Sequence, residues 1–379
     1  MTSKKRILLI QHEIPKWDHA RSWSYGAHLA LEEGLLAQGV ELVTLVTTWF
    51  KHAREICGTE PFDQVWINDI GHSTEPGASG GYQLTEQDMA WIGSLAPIRV
   101  GHLIETIFYS DEEFRTNPWL AARLPAIQTF MQYLTHVVTV DELDPIKIEA
   151  QFGVPAMWGP VSVPSQFLTD QPFAHTGAPA LFSGNPYGER AVLLQHPGLA
   201  GLLAFLPSLE NQTKLPQIFD QLNGEILAQM LAEPFSKERY MGYLEGLRMV
   251  RRQAFQMYIE GLKQGCAVVN LPSFLKGYAG RVVEGMAAGR PVISWEVPER
   301  PKTRTLFAED TEILLYRHDE HTAQNLAHQI RRVMYDPAFA QSLVQGARRK
   351  LERFHTTEAR VGQILEWVAA GQTPSYEYD

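Results

Sequence analysis

The chain has 379 residues, enough for two or three domains, and its 45% hydrophobic and 20% charged residues are typical of a globular protein with a large core. A formal net charge of −10 argues against a nucleic-acid-binding surface, which needs a basic face. The two cysteines lie far apart in the sequence and no stretch approaches the ~20 apolar residues that cross a bilayer, so we expect a cytoplasmic protein with at most peripheral membrane contact.

The first 165 residues alternate between apolar strands and helical stretches. Strands are predicted at 7–10, 40–46, 65–68, 98–104, 137–141 and 154–161, with a first helix from about 22 to 38. This order is that of a doubly wound, Rossmann-like domain, in which ligands bind beyond the carboxyl ends of the strands. His102 and Glu105 follow one such strand and are expected at the cleft. A packed or surface histidine is the alternative.

A proline-rich stretch at 166–178 is the predicted linker to a second domain. That domain opens with a strand ending at Gly184, then a turn and a helix with Arg190 in or near its first turn. The helix dipole disfavours an arginine there, so the side chain needs an anionic partner. A diphosphate, which guanidinium binds bidentately, and a salt bridge to Glu189 are the two alternatives.

Residues 265–294 have the pattern of strand, glycine-bearing loop, short helix and strand. The strand is a near-continuous apolar run, and Gly289 with Pro291 ends the helix that begins at Arg281. The loop and helix start direct backbone N–H groups at one spot, where an anion, most often a phosphate, is expected. Glu284 would repel a phosphate, so its expected partner is a hydroxyl, such as those of a ribose. An ordinary βαβ unit without a ligand is the alternative.

Two more helices are predicted at 321–335 and 339–354, with apolar positions spaced to cover a sheet. The tail at 371–379 is expected to be disordered.

The run from Gly277 to Ser294, GYAGRVVEGMAAGRPVIS, resembles the donor-site signature of the GT-B "group 1" (family 4-like) glycosyltransferases. The resemblance implies that Glu284 contacts the nucleotide ribose and that the loop before the helix binds the donor. The loop residues are Gly277, Tyr278, Ala279 and Gly280. The family's first glutamate is replaced by Lys276, which leaves a retaining or inverting outcome undecided. Lys276 is expected either to stabilise the leaving phosphate or to be a surface lysine.

Other segments extend the resemblance. LFSGNPYGER at 181–190 resembles the CgeB-like branch, which implies that Gly184 and Arg190 bind the donor. Gly26, at the start of the first helix, resembles a family glycine that approaches the donor phosphate. A strand-end histidine of the family lies against the transferred sugar, the position that His102 would take.

The resemblance implies an α/β protein of GT-B fold, with two Rossmann-like domains facing a central cleft. The expected parts are an acceptor domain at 1–165, the linker at 166–178, a nucleotide-sugar domain at 179–355 and a helix at 356–370 that crosses back to the first domain.

The expected function is transfer of a sugar from a UDP- or GDP-linked donor to an acceptor that is a glycan, a lipid-linked molecule or a protein. Candidate catalytic residues are His102, Glu105 and Lys276. We expect no cofactor and no metal, because no Asp-x-Asp pair or cluster with ligand spacing stands out. A GT-B epimerase or phosphorylase and an inactive GT-B scaffold are the alternatives.

Overall fold

The structure is a computed structural model that describes residues 4–11, 25–68, 70, 84–116, 118–184, 186–206, 234–273 and 276–378. Its described strands form two sheets, of six and five strands, and every strand pair in them is parallel.

The N-terminal sheet has the strand order β2-β1-β3-β4-β5-β6. Most of its strand residues are buried, because helices cover both faces, and this explains the continuous apolar runs in the sequence. The strands are β1 (Arg6–Gln11), β2 (Glu41–Val46), β3 (Gln64–Ile67), β4 (Ile98–Leu103), β5 (His136–Thr139) and β6 (Ala156–Trp158). The helices between them are α1 (Tyr25–Ala37), α2 (Ala53–Cys57), α3 (Glu86–Leu95), α4 (Asp111–Thr116), α5 (Pro118–Met131) and α6 (Asp144–Phe152).

The C-terminal sheet has the order β11-β10-β9-β7-β8. Its strands are β7 (Ala180–Phe182), β8 (Leu203–Phe205), β9 (Val268–Asn270), β10 (Val292–Trp295) and β11 (Leu314–Tyr316). The helices of this half are α7 (Glu189–Leu194), α8 (Lys237–Leu262), α9 (Arg281–Ala287), α10 (Pro301–Arg304), α11 (Thr322–Tyr335) and α12 (Pro337–Lys350), and the last helix is α13 (Thr357–Ala370).

Helix α8 contributes to the cores of both halves. Near its start, Tyr240 and Tyr243 pack against Trp49, with ring centroids 5.3 and 5.4 Å from the indole. The Tyr240 hydroxyl donates to the Thr44 carbonyl at 2.7 Å, which fixes the helix on the N-terminal sheet. Near its end, Phe255 belongs to the core of the C-terminal half. The helix therefore ties the two sheets together.

The last helix, α13, lies on the N-terminal half. Val361, Ile364 and Trp367 join the buried cluster that contains Ile7 and Leu9 of β1. A glycine on α1 makes this approach possible, because a Cβ at Gly34 would come within 2.3 Å of the Val361 side chain.

The prediction of a disordered tail is wrong for residues 371–378. Tyr376 is 7% exposed, and its hydroxyl donates to the Trp158 carbonyl at 2.9 Å. The Arg360 guanidinium lies 4.5 Å from its ring centroid, and its carbonyl accepts a hydrogen bond from Lys350. The tail is held because an aromatic ring and a backbone carbonyl both find partners in the body of the protein.

Candidate functional site

Two glycine-containing loops meet at one edge of the C-terminal sheet. Strands β7 and β9 are parallel neighbours, so the turn at Gly184 and the loop 271–280 leave the sheet at the same edge. Gly184 has φ +136°, and a Cβ there would lie 2.5 Å from Arg281 Nη2. A side chain is therefore excluded on both conformational and steric grounds.

Arg281, the first residue of α9, spans the space between these two loops. Its Nε donates to the Ser183 carbonyl at 2.7 Å, and its Nη1 donates to Asn270 Oδ1 at 2.7 Å. The Asn270 amide in turn donates to Ser294 Oγ at 2.9 Å. These bonds orient the guanidinium beside Gly184.

Arg190 brings a second guanidinium to the same edge. It is 4% exposed, and its Nε donates to the Pro272 carbonyl at 2.8 Å. Burial, and then the positive charge of Arg281, lower the pKa of Arg190 to about 10. Arg281 is half-buried. Two neighbouring cations that are shielded from water disfavour each other, and a doubly charged anion would relieve that repulsion. Glu189, the alternative partner in the sequence, lies 2.8 Å from His318 Nε2.

Glu284 is 1% exposed and lies on α9 below this edge. The Tyr258 hydroxyl of α8 hydrogen-bonds to Glu284 and to Ser183. Burial, and then the Glu284 charge, raise the pKa of Tyr258 well above its ordinary value. A ribose hydroxyl that reached Glu284 would therefore share the carboxylate with Tyr258.

The loop before α9 faces the N-terminal half. A Cβ at Gly277 would lie 3.4 Å from the Val140 carbonyl, and the Lys276 ammonium lies 3.3 Å from Glu113 Oε1. Ala279 and Gly280 are half-buried, whereas the Tyr278 ring is packed in the core 6.0 Å from Phe307. Of the candidate donor residues, Gly26 lies in the other half, in the first turn of α1.

The two candidate catalytic residues of the N-terminal half differ in environment. His102 is the fifth residue of β4 and is 6% exposed, with its ring 5.4 Å from that of Trp66, which matches the packed alternative. Glu105 is half-buried, two residues beyond the strand. These two residues are thus on the same strand end, and Lys276 comes from the other side of the cleft.

A buried ion pair closes one part of the junction between the halves. Arg300 donates to both carboxylate oxygens of Asp141, at 2.7 and 2.9 Å, and the two residues are 4% and 2% exposed. The backbone N–H of Lys302, at the start of α10, donates to Glu142 at 3.1 Å. Nearby Asp144 is 1% exposed, and burial followed by the charge of Asp141 raises its pKa to about 7.

Sequence reasoning missed Arg281, Tyr258 and the Asp141–Arg300 pair. Arg281 carried the same signal as Arg190, a cation at the start of a helix. Tyr258 and Arg300 carried no local signal, because their partners are far away in the chain.

Metal-binding clusters and membrane-spanning helices are both absent among the residues that the structure describes. Among them, no cluster of three or more His, Cys, Asp or Glu side chains is placed to hold a metal ion. None of their helices has the length and apolar character needed to cross a membrane.

One protein-family model matches part of the chain. Residues 217–366 match the model of a family described as "Glycosyl transferase-like". No curated protein sequence gives a significant match. The CgeB-like branch stays a prediction, since neither comparison tests it.

Solved structures match over nearly the whole chain. Sucrose-phosphate synthase from Thermosynechococcus elongatus has 13% identity and a TM-score of 0.58, and the match covers 97% of this chain and 100% of that chain. Anabaena Alr3699/HepE in complex with UDP has 15% identity and a TM-score of 0.54, with 97% and 100% covered. The same protein in complex with UDP-glucose has 13% identity and a TM-score of 0.55, with 96% and 99% covered. The predicted fold class is confirmed: the chain has the GT-B fold of these structures, and its residues 217–366 match a glycosyl transferase-like family.

Proposed function

We propose that the edge formed by Gly184, Arg190 and Arg281 binds the diphosphate of a UDP- or GDP-linked sugar, and that the sugar is transferred to an acceptor held by the N-terminal half. The observation that carries this proposal is the meeting of two neighbouring guanidinium groups, the buried Arg190 and the half-buried Arg281, at the edge where the two glycine-containing loops leave the sheet. The structural neighbour Anabaena HepE, solved with UDP and with UDP-glucose, supports a uridine nucleotide as the first candidate.

In the proposed reaction, an acceptor oxygen bonds to the anomeric carbon while the bond from that carbon to the diphosphate breaks. The electron pair leaves on the diphosphate, and the acceptor proton is released to solvent. Arg190 and Arg281 stabilise the charge that grows on the leaving diphosphate, so the proposed reaction needs no metal. Lys276, at the cleft side of the donor loop, is the third cation that can act on this charge.

The remaining site residues are assigned to the ribose and to the acceptor. Glu284 fits a ribose contact by its position on α9, in competition with Tyr258. We assign Glu105, the more accessible of the two strand-end residues, and His102 to the acceptor side of the cleft. Both cysteines are buried and free, which fits the reducing cytoplasm.

Thermal shift with UDP and GDP tests the proposal. A nucleotide at about 100 times its dissociation constant stabilises the folded protein by ~2.7 kcal/mol, which raises the melting temperature measurably. Replacing Arg190 by glutamine removes a charge-assisted contact of about 1.5–3 kcal/mol and weakens nucleotide binding by about tenfold to a hundredfold. Arg290→Gln is the matched control, because Arg290 is also buried but donates to the Ala174 carbonyl elsewhere in the domain.

Two results would contradict the proposal. One is a melting temperature that no nucleotide changes, which favours the inactive scaffold. The other is equal nucleotide binding by Arg190→Gln and Arg290→Gln, which places the nucleotide elsewhere. Sugar nucleotide that is isomerised without an acceptor would instead identify an epimerase.

A further inference from the structure

A cavity of about 460 Å³ lies between the donor loop and the N-terminal half. One wall comes from the segment after β4 and from helices α4 to α6. The opposite wall is formed by Lys276, Glu299 and Arg300 of the C-terminal half. Its volume is within the range of about 300–1,000 Å³ that is usual for small-molecule sites. A molecule in this cavity would lie directly beside the donor loop.

The lining is rich in aromatic rings. Phe108, Tyr109, Phe114 and Phe152 all line the cavity, together with aliphatic side chains such as Leu124. The Tyr109 and Phe114 rings already pack edge to face, with centroids 5.8 Å apart and an interplanar angle of 79°. Such rings favour a ligand that offers a flat apolar surface.

Four charged side chains line the cavity, three cationic and one anionic, and two of the cations have carboxylate partners outside the lining. Arg300 is paired with Asp141, and Lys276 lies 3.3 Å from Glu113. Of the other lining residues, Lys147 and Glu299 carry one charge of each sign. An anionic or cationic ligand would therefore lose hydration without meeting an excess of opposite charge.

The neutral polar side chains of the lining are Ser110, Gln128, Gln151 and, through its hydroxyl, Tyr109. Ser110 lines the cavity, but its hydroxyl and its backbone N–H both donate to Glu113, at 2.8 and 2.7 Å. Gln128 and Gln151 are exposed, at the solvent side of the lining. A glycan has many hydroxyl groups that need directional partners, and this lining offers few of them.

We propose that this cavity binds the acceptor, and that the acceptor is an uncharged alcohol or phenol with a ring-bearing apolar body rather than a glycan. The inference rests on the proposed function. The rings of the acceptor lie against the four aromatic side chains, and its hydroxyl points to Lys276 and Gly277, where the anomeric carbon of the donor arrives. The hydroxyl oxygen forms the new glycosidic bond, its proton goes to solvent, and the diphosphate leaves with the electron pair of the broken bond.

The test measures binding of three probes to the full chain in the presence of UDP, by isothermal titration calorimetry. Naphthol has two rings and no charge, hydroxynaphthoate adds a carboxylate to the same rings, and maltotriose is a neutral glycan. We expect naphthol to bind at least about tenfold more tightly than the other two probes, since neither the charge nor the extra hydroxyls find partners.

A variant that fills the cavity localises the binding. Gln151→Trp places an indole at an exposed lining position of α6 and should weaken naphthol binding by at least about tenfold through loss of volume. Gln345→Trp, at an exposed position of α12, is the matched control and should bind naphthol as the unchanged protein does. The melting temperatures of both variants show that they are folded.

The proposal is overturned if maltotriose or hydroxynaphthoate binds as tightly as naphthol, if naphthol does not bind, or if Gln151→Trp binds it unchanged. It is also overturned if maltotriose accepts a sugar from UDP-linked donors while naphthol accepts none. Failure of the proposed function has a different signature, which is a melting temperature that UDP and GDP leave unchanged.

Discussion

Replacing Asp144 by asparagine should change the pH dependence of folding. The carboxyl of Asp144 is 1% exposed, and its Oδ1 accepts a hydrogen bond from Thr106 Oγ1 at 2.8 Å. Its Oδ2 has no hydrogen-bond partner among the described residues. Burial, and then the neighbouring Asp141 charge, raise the pKa from 3.8 to about 7. The folded protein therefore holds a proton here that the unfolded chain releases in weakly acidic solution.

The sign and size of the effect follow from this difference. Because the pKa is raised on folding, the stability linked to the proton is fully present below about pH 4 and is lost as the pH rises through 7. A rise from 3.8 to about 7 corresponds to about 4 kcal/mol over the whole range, and to about 2.5 kcal/mol between pH 5 and pH 8. Asparagine has no proton to lose, so Asp144→Asn escapes this loss.

Urea unfolding followed by tryptophan fluorescence at pH 5 and pH 8 measures the effect. The free energy of unfolding of Asp144→Asn minus that of the unchanged protein should be about 2.5 kcal/mol higher at pH 8 than at pH 5. Asp170→Asn is the control, because the Asp170 side chain is 94% exposed and should show little pH-dependent difference. An Asp144→Asn effect that is the same at both pH values would refute the reasoning.

Three further substitutions test tertiary packing. Arg300→Leu leaves Asp141 buried and uncompensated, so it should lower the free energy of unfolding by about 3–5 kcal/mol in urea, and adding Asp141→Leu should recover most of the loss. A double variant no more stable than the single one would contradict this. Tyr376→Ala should cost about 3 kcal/mol and lower the melting temperature, whereas Tyr378→Ala, at a 46% exposed residue, should cost far less, and equal losses would speak against a buried tail. Gly34→Ala should cost about 1–3 kcal/mol by calorimetry, because its methyl group meets α13, and an unchanged melting temperature would show that the two helices separate freely.

Much of the fold was predictable because its signals are local. The apolar runs of the strands predicted two α/β halves, and the helix stop at Gly289 is confirmed by its φ of +68°. One local signal was misleading. A proline inside a helix ordinarily breaks or kinks it, yet α5 runs from Pro118 to Met131 through Pro125. Packing of Ile127 and Phe130 in the core offsets the hydrogen bond that the proline removes.

The candidate site was predictable only in part, for the same physical reason. Gly184 and Arg190 stand near strand and helix ends that the sequence pattern reveals. The bond between Arg300 and Asp141 joins residues 159 positions apart, and no spacing rule predicts it. The burial of Glu284 against Tyr258 likewise depends on how α8 packs on α9. Such contacts arise from tertiary packing, which a local sequence pattern does not reveal.

The shared helix α8 and the returning helix α13 have a consequence for biosynthesis. Tyr240 packs on one side of the N-terminal sheet and Trp367 on the other, so part of the shielding of each face is supplied by late parts of the chain. A nascent polypeptide of about 165 residues would leave both of these surfaces open to water as it left the ribosome. The first half to be translated is therefore among the last to be finished, and a chaperone that shields apolar strands would have its main opportunity during that interval.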